Sequence, residues 1–144
     1  MRSGLKVGSQ STVSTVVTEN MVARLGGQQI HPVLATAQMI EWMEWAGRRL
    51  ILPYLEEGED AVGYAVDIVH LAPTLVGEPF RATATFVGLE KNRIIADVAA
   101  GNARGRIGQG RFIQVLVPKD SLTRRLEEIR RQVQTHGESP VDAD

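Results

Sequence analysis

The segment that decides the fold runs from Ala35 to Leu71 and reads ATAQMIEWMEWAGRRLILPYLEEGEDAVGYAVDIVHL. Its first half, Ala35 to Leu52, has the spacing of an amphipathic helix that ends before Pro53. At about 100° per residue, one stripe about 120° wide carries Thr36, Met39, Ile40, Met43, Ala46, Gly47 and Leu50. The second half, Ala61 to Leu71, has the composition and alternation of a strand. The segment therefore predicts one helix packed on a sheet.

Three polar side chains of this segment are candidates for a shared site. Glu44 lies about 100° from Met43, at the edge of the apolar stripe, where a carboxylate can be half desolvated and still reach a pocket. Thr36 lies near the start of the helix. Strand periodicity places His70 on the face that we expect beneath the helix, with Val62, Tyr64, Val66 and Ile68, whereas Gly63, Ala65 and Asp67 take the other face. A hydroxyl, a carboxylate and an imidazole suffice for acyl-transfer chemistry.

Each candidate also has a structural interpretation that the sequence leaves open. Thr36 is of a type favoured at helix starts. Glu44 can pair with Arg48 on the helix surface, an interaction of about 0.2–0.5 kcal/mol. His70 can be a core histidine that is hydrogen-bonded to the backbone.

The rest of the chain predicts a mostly antiparallel α+β domain. Ser11–Val17 is a first strand, Thr18-Glu19-Asn20 begins a helical turn through Leu25, and Gly26-Gly27-Gln28-Gln29 forms a flexible link. After the central helix, strands are expected at Ala61–Leu71, Pro79–Leu89, Arg93–Gly101 and Ile107–Val117. Their short connections favour antiparallel neighbours. A final helix spans Ser121–Gln134, with Ser121 as N-cap and a charged, solvated face. We expect a domain at 1–135 and a disordered tail at 136–144.

Composition narrows the class of protein. The chain has 144 residues, a formal net charge of -1 and no cysteine. Near-neutral charge argues against a nucleic-acid partner, and no apolar run approaches the ~20 residues of a membrane span. Without cysteine there is no disulfide, no thiol nucleophile and no Cys-ligated zinc; we expect no metal. The N-terminus lacks the apolar core of a signal peptide, so we expect a cytoplasmic protein. The open sheet edge favours a homodimer, with a dimer of dimers as an extension.

From Val33 to Val117, the chain resembles the hotdog-fold thioesterases typified by fluoroacetyl-CoA thioesterase. The resemblance rests on Val33-Leu34-Ala35-Thr36, Met43-Glu44-Trp45-Ala46, Pro53-Tyr54-Leu55-Glu56, Val62-Gly63 and His70-Leu71-Ala72-Pro73-Thr74. It implies a curved antiparallel sheet wrapped around one central helix. It also implies hydrolysis of an acyl-CoA thioester, with coenzyme A as part of the substrate and no cofactor.

The resemblance assigns roles to the matching residues. Glu44 is the nucleophile or general base, His70 transfers protons, and Thr36 stabilises the site through a hydrogen bond. Burial would raise the pKa of Glu44, and a protonated His70 nearby would favour its carboxylate. The backbone N–H groups of the helix start, from Ala35 to Ala37, could donate to the thioester oxygen. Gly63 would allow the substrate to approach the backbone closely.

The chain departs from the family pattern at two places. Family members often carry Gly-x-Gly-x-His-x-Arg on the last strand, where this chain has Gly108-Gln109-Gly110-Arg111-Phe112-Ile113-Gln114. Phe112 and Gln114 therefore replace the histidine and the arginine. The region before Thr36, from Met21 to Leu34, has no phenylalanine, whereas the lid of the fluoroacetate enzyme does. We therefore expect an acyl group other than fluoroacetyl, of small or medium size.

Two questions stay open at this point. Thr36 and Glu44 on one continuous helix would lie about 12 Å apart. Direct contact then requires Thr36 on a non-helical approach, which we favour, or a site shared with a partner subunit. Contacts to the CoA phosphates have only candidates by charge, namely Lys91, Arg93, Arg104, Arg106 and Arg111.

A hydratase is disfavoured because Asp67 and His70 should face opposite sides. A non-catalytic acyl-CoA sensor is the main alternative, because fold does not fix function.

Overall fold

The structure, a computed structural model, describes residues 1–136 as an antiparallel sheet that wraps one long helix. The strands are β1 (Gln10–Val16), β2 (Val22–Leu25), β3 (Gln28–Leu34), β4 (Glu59–His70), β5 (Pro79–Glu90), β6 (Arg93–Asn102) and β7 (Gly105–Pro118). The helices are α1 (Thr36–Ile51) and α2 (Lys119–His136). Five strands form one sheet in the order β1-β5-β6-β7-β4, and β2 and β3 form a separate hairpin. The expected α+β hotdog architecture is confirmed.

Helix α1 supplies the centre of the core, as its apolar stripe predicts. Met39, Met43, Ala46 and Ile51 are fully buried in one cluster with side chains of β1, β5, β6 and β7. The chain leaves α1 through a turn of 3-10 helix that contains Pro53, a residue without the N–H that a continuing helix needs. Burial along one face therefore fixes which residues of α1 point away from the sheet.

The segment before α1 differs from the sequence expectation. The helical turn expected through Leu25 is only a 3-10 turn at Glu19–Met21. The flexible link expected at 26–29 is the two-residue turn of a β-hairpin at 26–27, followed by the first two residues of β3. Gly26 and Gly27 take φ values of 59° and 79°, the left-handed conformation that tight hairpin turns require at both central residues. The expectation was wrong because the two glycines specify a hairpin rather than a loose connection.

Strand β4 lies at an edge of the sheet, not beside β5 as its short connection suggested. Among the described residues β4 pairs with β7 alone, while β5 lies between β1 and β6. The connection crosses the end of the sheet because backbone hydrogen bonds hold it there: the Leu71 N–H donates to the Ile107 carbonyl, and the Leu34 N–H donates to the Thr74 carbonyl. One long edge of β4 is therefore open.

A β-bulge in β4 changes which residues face the helix. Gly63 opposes Gln114 and Ala65 opposes Ile113, so Tyr64 is an extra residue. A Cβ on Gly63 would lie 3.8 Å from the Phe112 ring, so Gly63 points inward. The expectation that Val62 and Tyr64 point inward was therefore wrong, because strict alternation assumes an unbulged strand.

Tyr64 instead meets the guanidinium of Arg93, which lies 4.7 Å above its ring centroid. After the bulge, the residues of β4 face the sides that the sequence predicted, and Ile68 packs against the core.

Helix α2 continues directly from β7. It begins at Lys119, whose N–H donates to the Gly58 carbonyl, so Ser121 is not an N-cap but lies in the first turn. Every described side chain from Lys119 to Thr135 is exposed except Leu122, which is half-buried. His136 ends α2, and the rest of the expected tail lies outside the described residues. No helix in the described part of the chain is long and apolar enough to cross a membrane.

Candidate active site

Thr36 and His70 meet where α1 begins and β4 ends. Thr36 is the first residue of α1 and His70 the last of β4, and their Oγ1 and Nδ1 atoms lie 2.7 Å apart. The neighbouring residue Ala35 is extended, with φ -65° and ψ 143°, which turns the chain into the helix. The structure thus brings these two candidates together. It does not place Thr36 on a non-helical approach, the arrangement that we favoured, because the helix already includes it.

The environment of His70 favours the neutral imidazole. Its Nε2 atom is buried and has no hydrogen-bond partner among the residues described. Desolvation lowers the pKa of His70 below the ordinary 6.5, and the backbone of Ala72 offsets this only in part. A protonated His70, which we expected beside the carboxylate, is therefore disfavoured.

The N-terminus of α1 offers fewer free donors than expected. The Ala35 N–H donates to the Met21 carbonyl at 2.8 Å and is therefore engaged within the fold. The first intrahelical bond runs from the Met39 N–H to the Ala35 carbonyl. In an α-helix the N–H groups before that bond have no intrahelical acceptor. Thr36 and Ala37 therefore remain as donors beside His70, and Ala35 does not.

Glu44 lies at a different place, on the rim of an open cavity of about 530 Å³ between α1 and β4. Its side chain is exposed in the isolated chain, so the expected burial is absent. The alternative pair with Arg48 is also absent, because Arg48 binds β4: its guanidinium lies 3.0 Å from the Asp60 carboxylate and donates to the Ala61 carbonyl. Gly63 lines the same cavity and completes the set of predicted residues.

The candidate residues therefore form two groups in one chain. Thr36 and His70 form one group at the N-terminus of α1, and Glu44 and Gly63 form the other along the cavity. Thr36 and Glu44 are both within α1, and eight residues of helix correspond to about 12 Å along its axis. The sequence predicts one site shared by Glu44 and His70, whereas the isolated chain holds these two residues in different groups.

Two residues that the sequence marked only as departures from the family pattern pack against α1, and one of them lines the cavity. Phe112 is 4% exposed and lines the cavity, with its ring against the backbone of Gly47. Gln114 is 3% exposed, and its Nε2 donates to the Gly47 carbonyl at 3.1 Å. The sequence could have predicted this position, because residues two apart on one strand share a face and β7 packs against α1.

The remaining walls of the cavity include two aromatic side chains of α1. Trp42 is partly buried against the core, and Trp45 is 46% exposed at the rim. Met21 adds a further apolar contact surface. The cavity therefore offers an apolar site next to the carboxylate of Glu44.

Most of the candidate phosphate-binding cations have partners within the chain. Arg93 donates to the Tyr64 hydroxyl, Arg104 pairs with Glu78, Arg106 donates to Gln109 and Arg111 pairs with Asp97. Lys91 lies in the turn between β5 and β6, where its φ is 56°. Within residues 1–136 no group of three or more histidine or acidic side chains is placed to hold a metal ion.

Comparison with known proteins agrees with this architecture. The family model described as "Fluoroacetyl-CoA-specific thioesterase" matches residues 17–120. A fluoroacetyl-CoA thioesterase from Streptantibioticus cattleyicolor is 32% identical over 120 residues, which cover 76% of this chain and 84% of that protein.

Solved structures extend the similarity over nearly the whole fold. A thioesterase superfamily member from Thermus thermophilus superposes with a TM-score of 0.90 and 38% identity, covering 93% of this chain and 99% of that one. A crystal structure of the fluoroacetyl-CoA thioesterase gives a TM-score of 0.80 at 29% identity, covering 87% of this chain and 97% of that one. The chain thus belongs to the fluoroacetyl-CoA-specific thioesterase family and is a thioester hydrolase with the hotdog fold.

Proposed function

We propose that this protein hydrolyses acyl-CoA thioesters in a site built from two copies of the chain. The observation that carries the proposal is the separation of the candidate residues: Thr36 and His70 form one hydrogen-bonded pair, while Glu44 and Gly63 line a cavity further along α1 and β4. Neither group alone holds both a carboxylate and an imidazole. A second copy supplies the missing half of each site.

The open edge of β4 supports this assembly. It exposes Tyr64, Val66 and Val69 at 57%, 43% and 55%, an apolar edge that favours pairing with another strand. In an antiparallel β4–β4 pair, a two-fold axis between Val66 and Asp67 lies midway between Gly63 and His70 along the strand. Such an axis brings His70 of one chain beside Gly63 of the other. Two equivalent sites then form, each with Glu44 and Gly63 from one chain and Thr36 and His70 from the other.

The assembled groups supply the chemistry of thioester hydrolysis. Glu44 either attacks the thioester carbonyl carbon, forming an anhydride that water opens, or removes a proton from water as that water attacks. In both routes the C–S bond breaks, and the thiolate that leaves ends as a thiol after it takes up a proton. The proton comes from water. In the general-base route, Glu44 passes the proton that it takes from the attacking water to Nε2 of a neutral His70, held by Thr36, and His70 releases it to the sulfur. In the nucleophilic route, the water that later opens the anhydride supplies the proton through the same imidazole. In this proposal the N–H groups of Thr36 and Ala37, which have no intrahelical acceptor, donate to the developing oxyanion.

The cavity walls support an apolar acyl group of small or medium size. Met21, Trp42, Trp45 and Phe112 present carbon surface beside Glu44. Phe112 replaces a histidine of the family pattern, and Met21–Leu34 has no phenylalanine with which to form the fluoroacetate lid. We therefore propose that the substrate is not fluoroacetyl-CoA. We also propose that the enzyme is a cytoplasmic homodimer and that it uses no cofactor.

Thiol release from a panel of short, branched and aryl acyl-CoAs tests the activity. Glu44→Gln and His70→Asn should each lower kcat/KM at least about 100-fold, as expected on loss of a proton-transfer group. Thr36→Val should lower it about tenfold, the worth of one hydrogen bond. Glu41→Gln, a second cavity carboxylate on α1, is the matched control and should retain activity. Full turnover by Glu44→Gln would refute the assignment, and tight binding without turnover by the wild type would indicate an acyl-CoA sensor.

A mixture of the two inactive variants tests whether each site draws on two chains. Glu44→Gln and His70→Asn chains, co-refolded in equal amounts, give about half heterodimers, and each heterodimer has one intact site. About a quarter of wild-type activity should therefore return. If each site is contained within one chain, no intact site forms and the mixture stays inactive.

A further inference from the structure

Helix α2 carries a narrow apolar stripe that its own domain leaves uncovered. Leu122, Leu126, Ile129 and Val133 follow one another at spacings of four, three and four residues. At about 100° per residue these side chains fall within about 60° on the helix surface, the narrow seam of a coiled coil rather than the wider face of a core helix. Leu126, Ile129 and Val133 are 54%, 37% and 49% exposed. The stripe therefore has the geometry of a helix-pairing surface.

The charges beside the stripe decide which helix can pair with it. With Leu126 and Val133 at a positions and Leu122 and Ile129 at d positions, the flanking g positions hold Arg125 and Gln132. The flanking e positions hold Thr123 and Arg130. In a parallel pair a g residue faces an e residue five positions further along the partner, so Arg125 would face Arg130. Parallel self-pairing therefore places like charges together.

Antiparallel self-pairing removes this conflict. The apolar layers become Leu122 against Val133 and Leu126 against Ile129. In the same register Arg125 faces Gln132 and Arg130 faces Thr123, so that each arginine meets a neutral polar side chain. The stripe is then complementary to itself through a two-fold axis, as an isologous interface requires.

We propose that α2 pairs in an antiparallel manner with α2 of a second copy of this chain. The pairing is distinct from the β4 edge, because the two surfaces lie on different elements. In a β4-paired dimer each β7 ends opposite Glu59, about 7.5 residues along β4 from the two-fold axis. At about 3.3 Å per residue, the two α2 helices therefore start about 50 Å apart. Helices of about 27 Å cannot pair side by side along their length over that distance. The α2 surface therefore joins one such dimer to another and gives a dimer of dimers.

The particle mass tests the proposal through multi-angle light scattering of the full chain. Leu126→Asp places a charge in the central layer and should halve the mass of the assembly. Arg131→Asp lies on the opposite side of α2 and should leave the mass unchanged. Both variants should keep wild-type thioesterase activity per chain, because neither residue lies near the candidate site. An unchanged mass for Leu126→Asp would overturn the proposal.

Thiol cross-linking tests the direction of the helices, and the cysteine-free chain gives no background. Differently tagged Leu122→Cys and Val133→Cys proteins are mixed and treated with a short bis-maleimide. Antiparallel pairing should give a product that carries both tags, whereas parallel pairing separates these positions by about 16 Å and gives products with one tag. Arg131→Cys is the control and should give neither. Single-tag products alone, or no product, would overturn the proposal. A Val66→Cys chain reports β4 pairing separately, so that failure of one interface is not read as failure of the other.

Discussion

Gly47 is the position in α1 where an added methyl group has the most specific expected consequence. An alanine Cβ would lie 2.7 Å from Phe112 Cδ1 and 3.0 Å from Cε1. The ring cannot withdraw freely, because Phe112 is 4% exposed and its other edge lies 3.8 Å from the Cβ position of Gly63. Close packing of this kind makes overfilling cost about 1–3 kcal/mol.

Helix propensity opposes that cost. Replacing glycine with alanine inside a helix gains about 1 kcal/mol. Subtracting this gain from the cost of overfilling leaves a net loss of about 0–2 kcal/mol. We therefore expect Gly47→Ala to lower the free energy of unfolding by about 1 kcal/mol. In a Phe112→Leu background, which removes the obstructing ring atoms, the same substitution should instead stabilise the chain by up to about 1 kcal/mol. The coupling between the two positions is then about 2 kcal/mol.

Urea unfolding followed by circular dichroism measures this double-mutant cycle. The four proteins should share one m-value, which makes their midpoints directly comparable. If Gly47→Ala stabilises the wild type as much as it stabilises Phe112→Leu, the close approach of Phe112 to α1 is refuted.

Three further predictions follow from the geometry. Burial lowers the pKa of His70, so below about pH 6.5 the unfolded chain binds more protons than the folded chain, and the free energy of unfolding falls as the pH drops through that window. His70→Asn should flatten this fall in urea titrations at several pH values. Thr74→Val removes a fully buried hydroxyl that accepts a hydrogen bond from a buried amide of β6, and should lower the free energy of unfolding by about 1–3 kcal/mol. Gly110→Ala would overlap the Asp67 carbonyl oxygen and must open the β4–β7 ladder, so thermal melts should show a loss of at least about 3 kcal/mol or no folded protein.

The sequence predicted the elements well because each has a clear local signal. The apolar stripe of α1 and the four alternating runs after it depend on periods of 3.6 and 2, and their bounds agree with the structure to within about two residues. The order of strands in the sheet had no such signal. The crossing of 71–78 is held by hydrogen bonds between residues far apart in the chain, which local spacing does not reveal.

The sequence proposes the members of the candidate site but does not give their arrangement. Resemblance to the family marked Thr36, Glu44, Gly63 and His70, and the structure pairs Thr36 with His70 although Thr36 was the member with the weakest local signal. Periodicity made a site shared by Glu44 and His70 plausible, but it shows only which face a residue takes and not its height along the helix or strand. The bulge at Tyr64 added an error by reversing the faces before it.

The proposed pairing of β4 edges would remove two unfavourable features of the isolated chain. The buried Nε2 of His70 has no partner within the described residues, a state that costs about 1–3 kcal/mol. The neighbouring edge of β4 exposes apolar side chains and unpaired backbone groups. The β4 pairing that we propose would cover these groups and bring the cavity of Glu44 and Gly63 beside His70, where a thioester oxygen or sulfur would occupy the position that faces Nε2. A charge at this edge opposes β4 pairing, so Val66→Glu should abolish turnover without altering the Thr36–His70 hydrogen bond of each chain. An NMR titration should then still show the pKa of His70 lowered by burial, now in an inactive monomer. Turnover by such a monomer would show that one chain holds a complete site.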